Sequence, residues 1–227
     1  MKDELGNIIL LRNVSKTYRI NEHTSWGVKD IDFQAKPGEL VLLLGPSGSG
    51  KTTLLTLIAG LLRPSEGSIR LFGNPIESYT NAELQSLRAG KIGFIFQTFL
   101  LIDALTSSQN IELVMKFNSK PKREAKKTVK ALLKELRIEY LADKLPSAMS
   151  QGEKQRVAAA RAVANNAELI LADEPTASLD TENGSVIIEL LSSFARNNKC
   201  VIVASHDLRL KKYADRIINL ENGRIIC

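Results

Sequence analysis

Apolar residues in this chain fall into three kinds of run, and each predicts a different element. Leu40 to Leu44, Leu169 to Ala172 and Val201 to Ala204 are unbroken and end at Gly45, Asp173 and Ser205. Such runs suit strands covered on both faces, as in a parallel sheet flanked by helices. Asn7 to Leu11 and Val28 to Phe33 are short, β-branched or alternating, and they are interrupted by polar residues and by the Pro37-Gly38 turn. They predict N-terminal strands. Thr52 to Leu62 carries Leu54, Leu55, Leu57, Ile58 and Leu61 at helical spacing and meets Pro64. Val186 to Phe194 repeats that spacing, and Thr98 to Val163 is mainly helical in period. Near the end, Arg216 to Leu220 and Arg224 to Ile226 flank Glu221-Asn222-Gly223 and predict a hairpin. Strand and helix alternate, so the pattern implies an α/β core with a helical insertion. Neither an internal repeat nor a low-complexity segment is present.

Length and composition narrow the class. A chain of 227 residues suits one domain with a sizeable core. At 44% hydrophobic and 25% charged, its composition is that of a globular protein. No apolar run approaches the roughly 20 residues of a membrane helix. Ile8 to Leu11 is too short for a signal-peptide core, so a cytoplasmic location is expected. Cys200 and Cys227 lack metal-ligand spacing and are expected to be free thiols in a reducing compartment. The net charge is +6, and much of the excess lies between Lys120 and Arg137. Val129, Leu132, Leu133 and Leu136 recur there at helical spacing, so the lysines are expected to form a solvated helix face. Attraction to anionic lipid is the alternative.

Gly45-Pro46-Ser47-Gly48-Ser49-Gly50-Lys51-Thr52 fits the phosphate-loop pattern G-x-x-x-x-G-K-[ST], between a predicted buried strand and a predicted helix that continues with Thr53. Glycine lets the backbone turn tightly and bring its N–H groups against phosphate oxygens. The following helix start adds unpaired donors and partial positive charge. Lys51 is expected to reach the β- and γ-phosphates, and the Thr52 hydroxyl to coordinate Mg²⁺. Nucleotide binding follows; the choice between ATP and GTP does not.

Leu169 to Ala172 ends in Asp173-Glu174. An aspartate there can hold Mg²⁺ through water beside the phosphate loop. The next carboxylate points the other way, where it can orient or deprotonate the attacking water. In isolation the pair would read as a helix cap; beside a phosphate loop it reads as chemistry.

Met149-Ser150-Gln151-Gly152-Glu153-Lys154-Gln155-Arg156-Val157, followed by Ala158 to Ala162, resembles the signature segment of the ABC ATP-binding proteins. The phosphate loop, Gln97, this segment, the acidic strand, Ala177-Ser178-Leu179-Asp180 and His206 stand in that family's order and cover essentially the whole chain. The resemblance implies a RecA-like P-loop NTPase core with an N-terminal antiparallel β subdomain and an inserted helical subdomain. The core is placed at 1–97 and 164–227 and the helical part at about 98–163. It implies that Tyr18 stacks on adenine, although a half-buried strand tyrosine is the plainer reading. It implies that Gln97 touches Mg²⁺ and the attacking water, and that Ser150 and Gly152 contact a γ-phosphate bound by a second copy. Asp180 would connect two sites across a dimer, and His206 would hold the γ-phosphate. ATP and Mg²⁺ are the cofactors so implied. His23 has no such support. Gln151 stands where the family usually has glycine, so its side chain is expected to point away from the phosphates.

Leu87-Arg88, Ile92 to Gln97, Leu100-Leu101, Leu105-Thr106 and Gln109-Asn110-Ile111 are similar to the macrolide-efflux, lipoprotein-release and cell-division branch. That branch implies a homodimer, or a pair with a similar ATPase, on the cytoplasmic face of the plasma membrane, driving a separate membrane permease. Phe99-Leu100-Leu101-Ile102 is read either as part of a groove for the permease's cytoplasmic helix or as core packing. Two alternatives remain for the motor. It could serve a membrane complex that regulates cell division or a cell-wall hydrolase. The other is a nucleic-acid ATPase, whose usual coiled-coil, zinc or tandem insertions are not visible here, so no nucleic-acid partner is expected.

Overall fold

The computed structural model describes residues 6–20, 23–117, 121–177 and 179–226, with the side chains of residues 20 and 23 outside that description. Lys120, Ser178, Cys227 and the His23 side chain, all noted from the sequence, therefore lie outside the described residues.

The unbroken apolar runs are the centre of a six-stranded sheet. β3 (Leu40–Leu44), β7 (Leu169–Asp173) and β8 (Cys200–Ala204) are buried along their whole length. Together with β6 (Ile92–Ile95), β9 (Arg216–Glu221) and β10 (Arg224–Ile226) they run in the order β10-β9-β3-β8-β7-β6. All neighbours are parallel except the β9–β10 hairpin. Alternation within β3 shows why both faces must be apolar. Leu40, Leu42 and Leu44 enter one core, while Val41 and Leu43 enter the other.

The first core holds α5 (Gln151–Val163) and α6 (Thr181–Arg196) against the sheet. Joined to it are α3 (Ser107–Lys116) and α4 (Lys122–Glu135), which form the helical segment between β6 and β7. In α4 the side chains Ala125, Val129, Leu132 and Leu133 face inward. Its cations Lys122, Arg123, Lys126, Lys127, Lys130 and Lys134 are exposed, in keeping with a solvated face.

The second core lies between the parallel sheet, α1 (Lys51–Ile58) and an antiparallel sheet ordered β2-β1-β4-β5. Here β1 is Ile9–Ile20, β2 His23–Ala35, β4 Glu66–Leu71 and β5 Asn74–Pro75. The alternation of apolar residues predicted much shorter β1 and β2. Register shifts after Leu11, Val14 and Lys16 break that alternation while the pairing with β2 continues. α1 is also shorter than predicted: Ala59 caps it and Gly60, at φ 63°, turns the chain before Pro64 is reached. α2 (Asn81–Lys91) buries only Leu84 and is started by a capping box between Thr80 and Glu83. Among the described residues, no helix is long and apolar enough to cross a membrane.

Candidate nucleotide site

The strand ends of the parallel sheet converge on one cavity of about 480 Å³. Its wall is the turn between β3 and α1, where Gly45, Ser47, Gly48, Ser49, Gly50, Lys51, Thr52 and Thr53 face the space. Pro46 belongs to the turn but does not face the space. Gly50 has φ 101°, a region that disfavours any side chain, and a Cβ there would overlap the carbonyl of Gly27. The turn therefore requires glycine, and Gly27 becomes part of the wall. Lys51 is 7% exposed and folds back over the turn, donating to the carbonyls of Gly45 at 2.8 Å and Pro46 at 3.0 Å. The result is an ammonium curled over a concave loop that opens a helix, an arrangement suited to a polyphosphate.

Opposite lie the ends of β7, β8 and β6. The Thr52 hydroxyl donates to Asp173 Oδ2 at 2.7 Å. Burial pushes the Asp173 carboxyl above the ordinary 3.8, the bond from Thr52 pulls it back, and neighbouring Glu174 raises it again. A hydroxyl beside a buried carboxylate is a donor set that a hard divalent cation takes, and such an ion would relieve the cost of burying the charge. Among the described residues, no three His, Cys, Asp or Glu side chains converge as a ready metal cage.

Glu174 leaves β7 at φ 47° and its N–H donates to the carbonyl of Ala204 at 2.8 Å. Its Oε2 accepts from the Ser205 hydroxyl at 3.1 Å and lies 2.9 Å from His206 Nδ1. Its Oε1 lies 4.0 Å from Lys51 Nζ. Glu174 is thus fixed from two strands while the His206 side chain stays 72% exposed. Gln97, the second residue after β6, faces the same cavity. Asp173, Glu174, Gln97 and His206 come from three strand ends, and the parallel order brings them together.

Tyr18 does not face the cavity. It lies beside it, with its hydroxyl 3.4 Å from Thr53 Oγ1 and its ring where a Cβ on Gly27 would fall. The residue is 36% exposed.

Ser150, Gly152 and Asp180 do not face the cavity either. Ser150 caps α5: its Oγ accepts from Glu153 N–H at 3.3 Å, and Glu153 Oε2 accepts from Ser150 N–H at 2.7 Å. That second bond holds the Glu153 carboxyl below its usual range. The cap bond uses the serine oxygen as acceptor, and Gln151 is exposed beside it. A Cβ on Gly152 would sit 3.0 Å from Leu179 Cδ2, so glycine lets the segment before α6 approach closely. Asp180 caps α6 by accepting from Asn183 N–H at 2.8 Å. The start of α5, with Ser150 and Gly152, thus lies apart from the cavity that holds the phosphate turn and the carboxylates.

Two residues of the site escape a reading by motifs. Gly27 faces the cavity from β2, and its only sequence signal is a glycine within a strand. Ser205 is fully buried and reaches Glu174 through its hydroxyl; a serine ending a buried apolar run was the available sign.

A second depression of about 310 Å³ lies between β6, α3 and α5. Leu100, Val114, Phe94 and Phe117 line it, and Leu100 and Phe117 are 54% and 64% exposed. Phe99 and Leu100 adopt φ of 61° and 48°, held by Arg161 of α5, which donates to both their carbonyls. Leu101 packs against the core, whereas Leu100 lines the depression. The free thiol of Cys200 is buried, and burial pushes it up to about 12, well outside reactive range.

Comparison with known proteins places the chain in one family. A family model described as ABC transporter matches residues 28–177. The chain is 39% identical over 223 residues to the ABC transporter ATP-binding protein MJ0796 of Methanocaldococcus jannaschii, covering 96% of this chain and 95% of that one. It is 36% identical over 219 residues to the macrolide export ATP-binding/permease protein MacB of Sodalis glossinidius, covering 96% of this chain and 34% of that protein. A solved dimeric structure of the MJ0796 cassette in a post-hydrolysis state with ADP and Pi superposes with a TM-score of 0.92 at 38% identity, covering 96% of this chain and 97% of that one.

Proposed function

This chain belongs to the ABC transporter family of ATP-binding proteins and is an ATP-hydrolysing subunit of an ABC transporter, and we propose that it works as a homodimer driving a separate membrane permease. The carrying observation is that the site is split within one copy. The phosphate turn, Gln97, Asp173, Glu174 and His206 share one cavity, while the capped start of α5 points elsewhere. In the proposed dimer each ATP lies between the phosphate turn of one copy and Ser150 and Gly152 of the other. The relative MJ0796 is known as a dimer bound to ADP and Pi, which supports this arrangement.

Residues 1–97 and 164–227 form the nucleotide-binding core in this reading, and residues 98–163 the helical subdomain. Backbone N–H groups from Ser47 to Thr53 and the ammonium of Lys51 hold the phosphates, and Tyr18 stacks on the base. Mg²⁺ would be held by Thr52, Asp173 and Gln97, and supplies neutralisation of charge on the β- and γ-phosphates. Glu174 orients the attacking water and accepts its proton. His206, hydrogen-bonded to Glu174, turns its exposed ring to the γ-phosphate. Ser150 donates its hydroxyl to the same phosphate from the opposite copy, and Asp180 couples the two sites. Donors aimed at a developing charge in a closed, water-poor site lower the barrier without reorganisation. Loss of the γ-phosphate then removes the bridge between copies.

The depression beside Leu100 and Phe117 suits a short amphipathic helix of the permease, on the cytoplasmic face of the membrane. The similarity to MacB, in which cassette and permease share one chain, favours the macrolide-efflux and lipoprotein-release branch. A tagged copy purified in detergent from its own cells tests this: an integral membrane protein of that branch should accompany it. Recovery of the chain alone, or with nucleic acid stimulating its ATPase, would overturn the assignment.

A further inference from the structure

Asp207 is the first residue of a network that the site chemistry does not need. It caps the short 3-10 helix that follows, Leu208–Tyr213, its Oδ1 accepting from Arg209 N–H at 2.9 Å. A cap uses one oxygen. The other, Oδ2, accepts from the Thr176 hydroxyl at 2.9 Å and from Arg209 Nη2 at 2.7 Å. Thr176 is 3% exposed and follows Glu174 by two residues. Asp207 N–H in turn donates to Ser205 Oγ at 3.1 Å, the same hydroxyl that donates to Glu174. The Arg209 guanidinium lies under α6, where a Cβ on Gly184 would come within 3.1 Å of Nη2. The Asp207 carboxylate thus ties the segment after Glu174 to the loop carrying His206, and Arg209, which it holds, extends to the helix that Asp180 caps.

We propose that Thr176 and Asp207 are positioning residues whose hydrogen bond makes Glu174, His206 and the Asp180 helix start move as one unit, so that the state of one site reaches the other. The inference rests on the two-site dimer proposed above. The arrangement has the form such coupling requires, because charge-assisted bonds anchored on the buried Thr176 and Ser205 hold fixed geometry better than the loops they join. Arg209 keeps the Asp207 carboxyl ionised by holding it below the usual range, so the acceptor for Thr176 stays charged. The Thr176 hydroxyl touches neither the phosphate turn nor the metal-binding pair in the described structure, so its effect must pass through Asp207.

The test is Thr176→Val, which keeps volume and removes only the hydroxyl, beside Thr176→Ser, which keeps the hydroxyl. ATP affinity by fluorescent nucleotide titration should stay within about twofold of the parent for both, while kcat of Thr176→Val falls about tenfold. Its Hill coefficient for ATP should fall towards one, and Thr176→Ser should restore both values. Thr176→Val with parental kcat and cooperativity overturns the proposal, as does equal loss in both variants, which would indicate packing instead of the hydroxyl. A parent without cooperativity overturns the two-site reading and the coupling with it. A cooperative parent whose Thr176→Val variant stays cooperative overturns the coupling alone.

Discussion

The Thr52 hydroxyl donates to Asp173 Oδ2 at 2.7 Å, tying the first turn of α1 to the end of β7 across 121 residues of chain. The bond offsets only part of the cost of burying a carboxylate that is 4% exposed. Burial keeps the folded Asp173 carboxyl above its unfolded 3.8, so the native chain holds this proton where the unfolded chain has released it. The stability this contributes is complete below the unfolded value and is lost as pH rises through the folded value. Asp173→Asn should therefore raise the melting temperature of the nucleotide-free protein near neutrality. The gain should shrink as pH falls towards about 4, and ATP hydrolysis should be lost throughout. Scanning fluorimetry across pH checks it; an unchanged or lowered melting temperature near neutrality would show that Asp173 is not a strained acid.

Lys51 folds back on the carbonyls of Gly45 and Pro46, where phosphate oxygens would compete for its ammonium. Lys51→Ala should weaken ATP binding by at least about tenfold, the loss of one charge-assisted contact in a sheltered site. Calorimetric titration measures this. Unaltered affinity would remove the phosphate assignment from this loop.

Asn110 is fully buried and spans the segment leading away from Gln97. Its Oδ1 accepts from Ile102 N–H at 2.8 Å, and its Nδ2 donates to the carbonyls of Ile102, Leu105 and Thr106 at 3.1, 2.9 and 3.1 Å. Asn110→Ala strands buried backbone groups as well as emptying volume, and should cost about 2–4 kcal/mol of unfolding free energy in urea titrations. A loss within about 0.5 kcal/mol would mean that water replaces the amide.

Leu100→Glu and Phe117→Glu place charges in the depression between β6, α3 and α5. Both positions are mostly exposed, so folding and basal ATP turnover should stay within about twofold of the parent. Capture of the membrane partner from detergent extracts should fall by about tenfold or more. Full capture by both variants would place the permease contact elsewhere.

Legibility followed burial. β3, β7 and β8 can be read because strands covered on both faces are apolar along nearly their whole length, β7 ending only at Asp173, and the phosphate turn because its glycines and lysine are set by local geometry. β1 and β2 were read short, because register shifts at Leu11, Val14 and Lys16 defeat a period of two. β4 and α2 gave little apolar signal: β4 buries only Ile69 and Leu71, and α2 only Leu84. The Thr80 and Glu83 capping box was the available clue to α2. Of the residues lining or bracing the cavity, Lys51, Thr52, Gln97, Asp173, Glu174 and His206 stand on sequence motifs, whereas Gly27 and Ser205 do not. They act through tertiary approach, one by lacking a side chain beside Gly50, the other by reaching Glu174 across two strands.

The central claim is that each nucleotide needs residues from two copies. Mixing tests it most directly. Lys51→Ala copies lack a working phosphate turn but keep Ser150, while Ser150→Arg copies keep the turn but block the opposing helix start. Each alone should hydrolyse ATP at no more than about a hundredth of the parental rate. A mixture should regain activity, since a mixed pair holds one complete site. Two inactive proteins that stay inactive together, or a Ser150→Arg protein active by itself, would contradict the shared site.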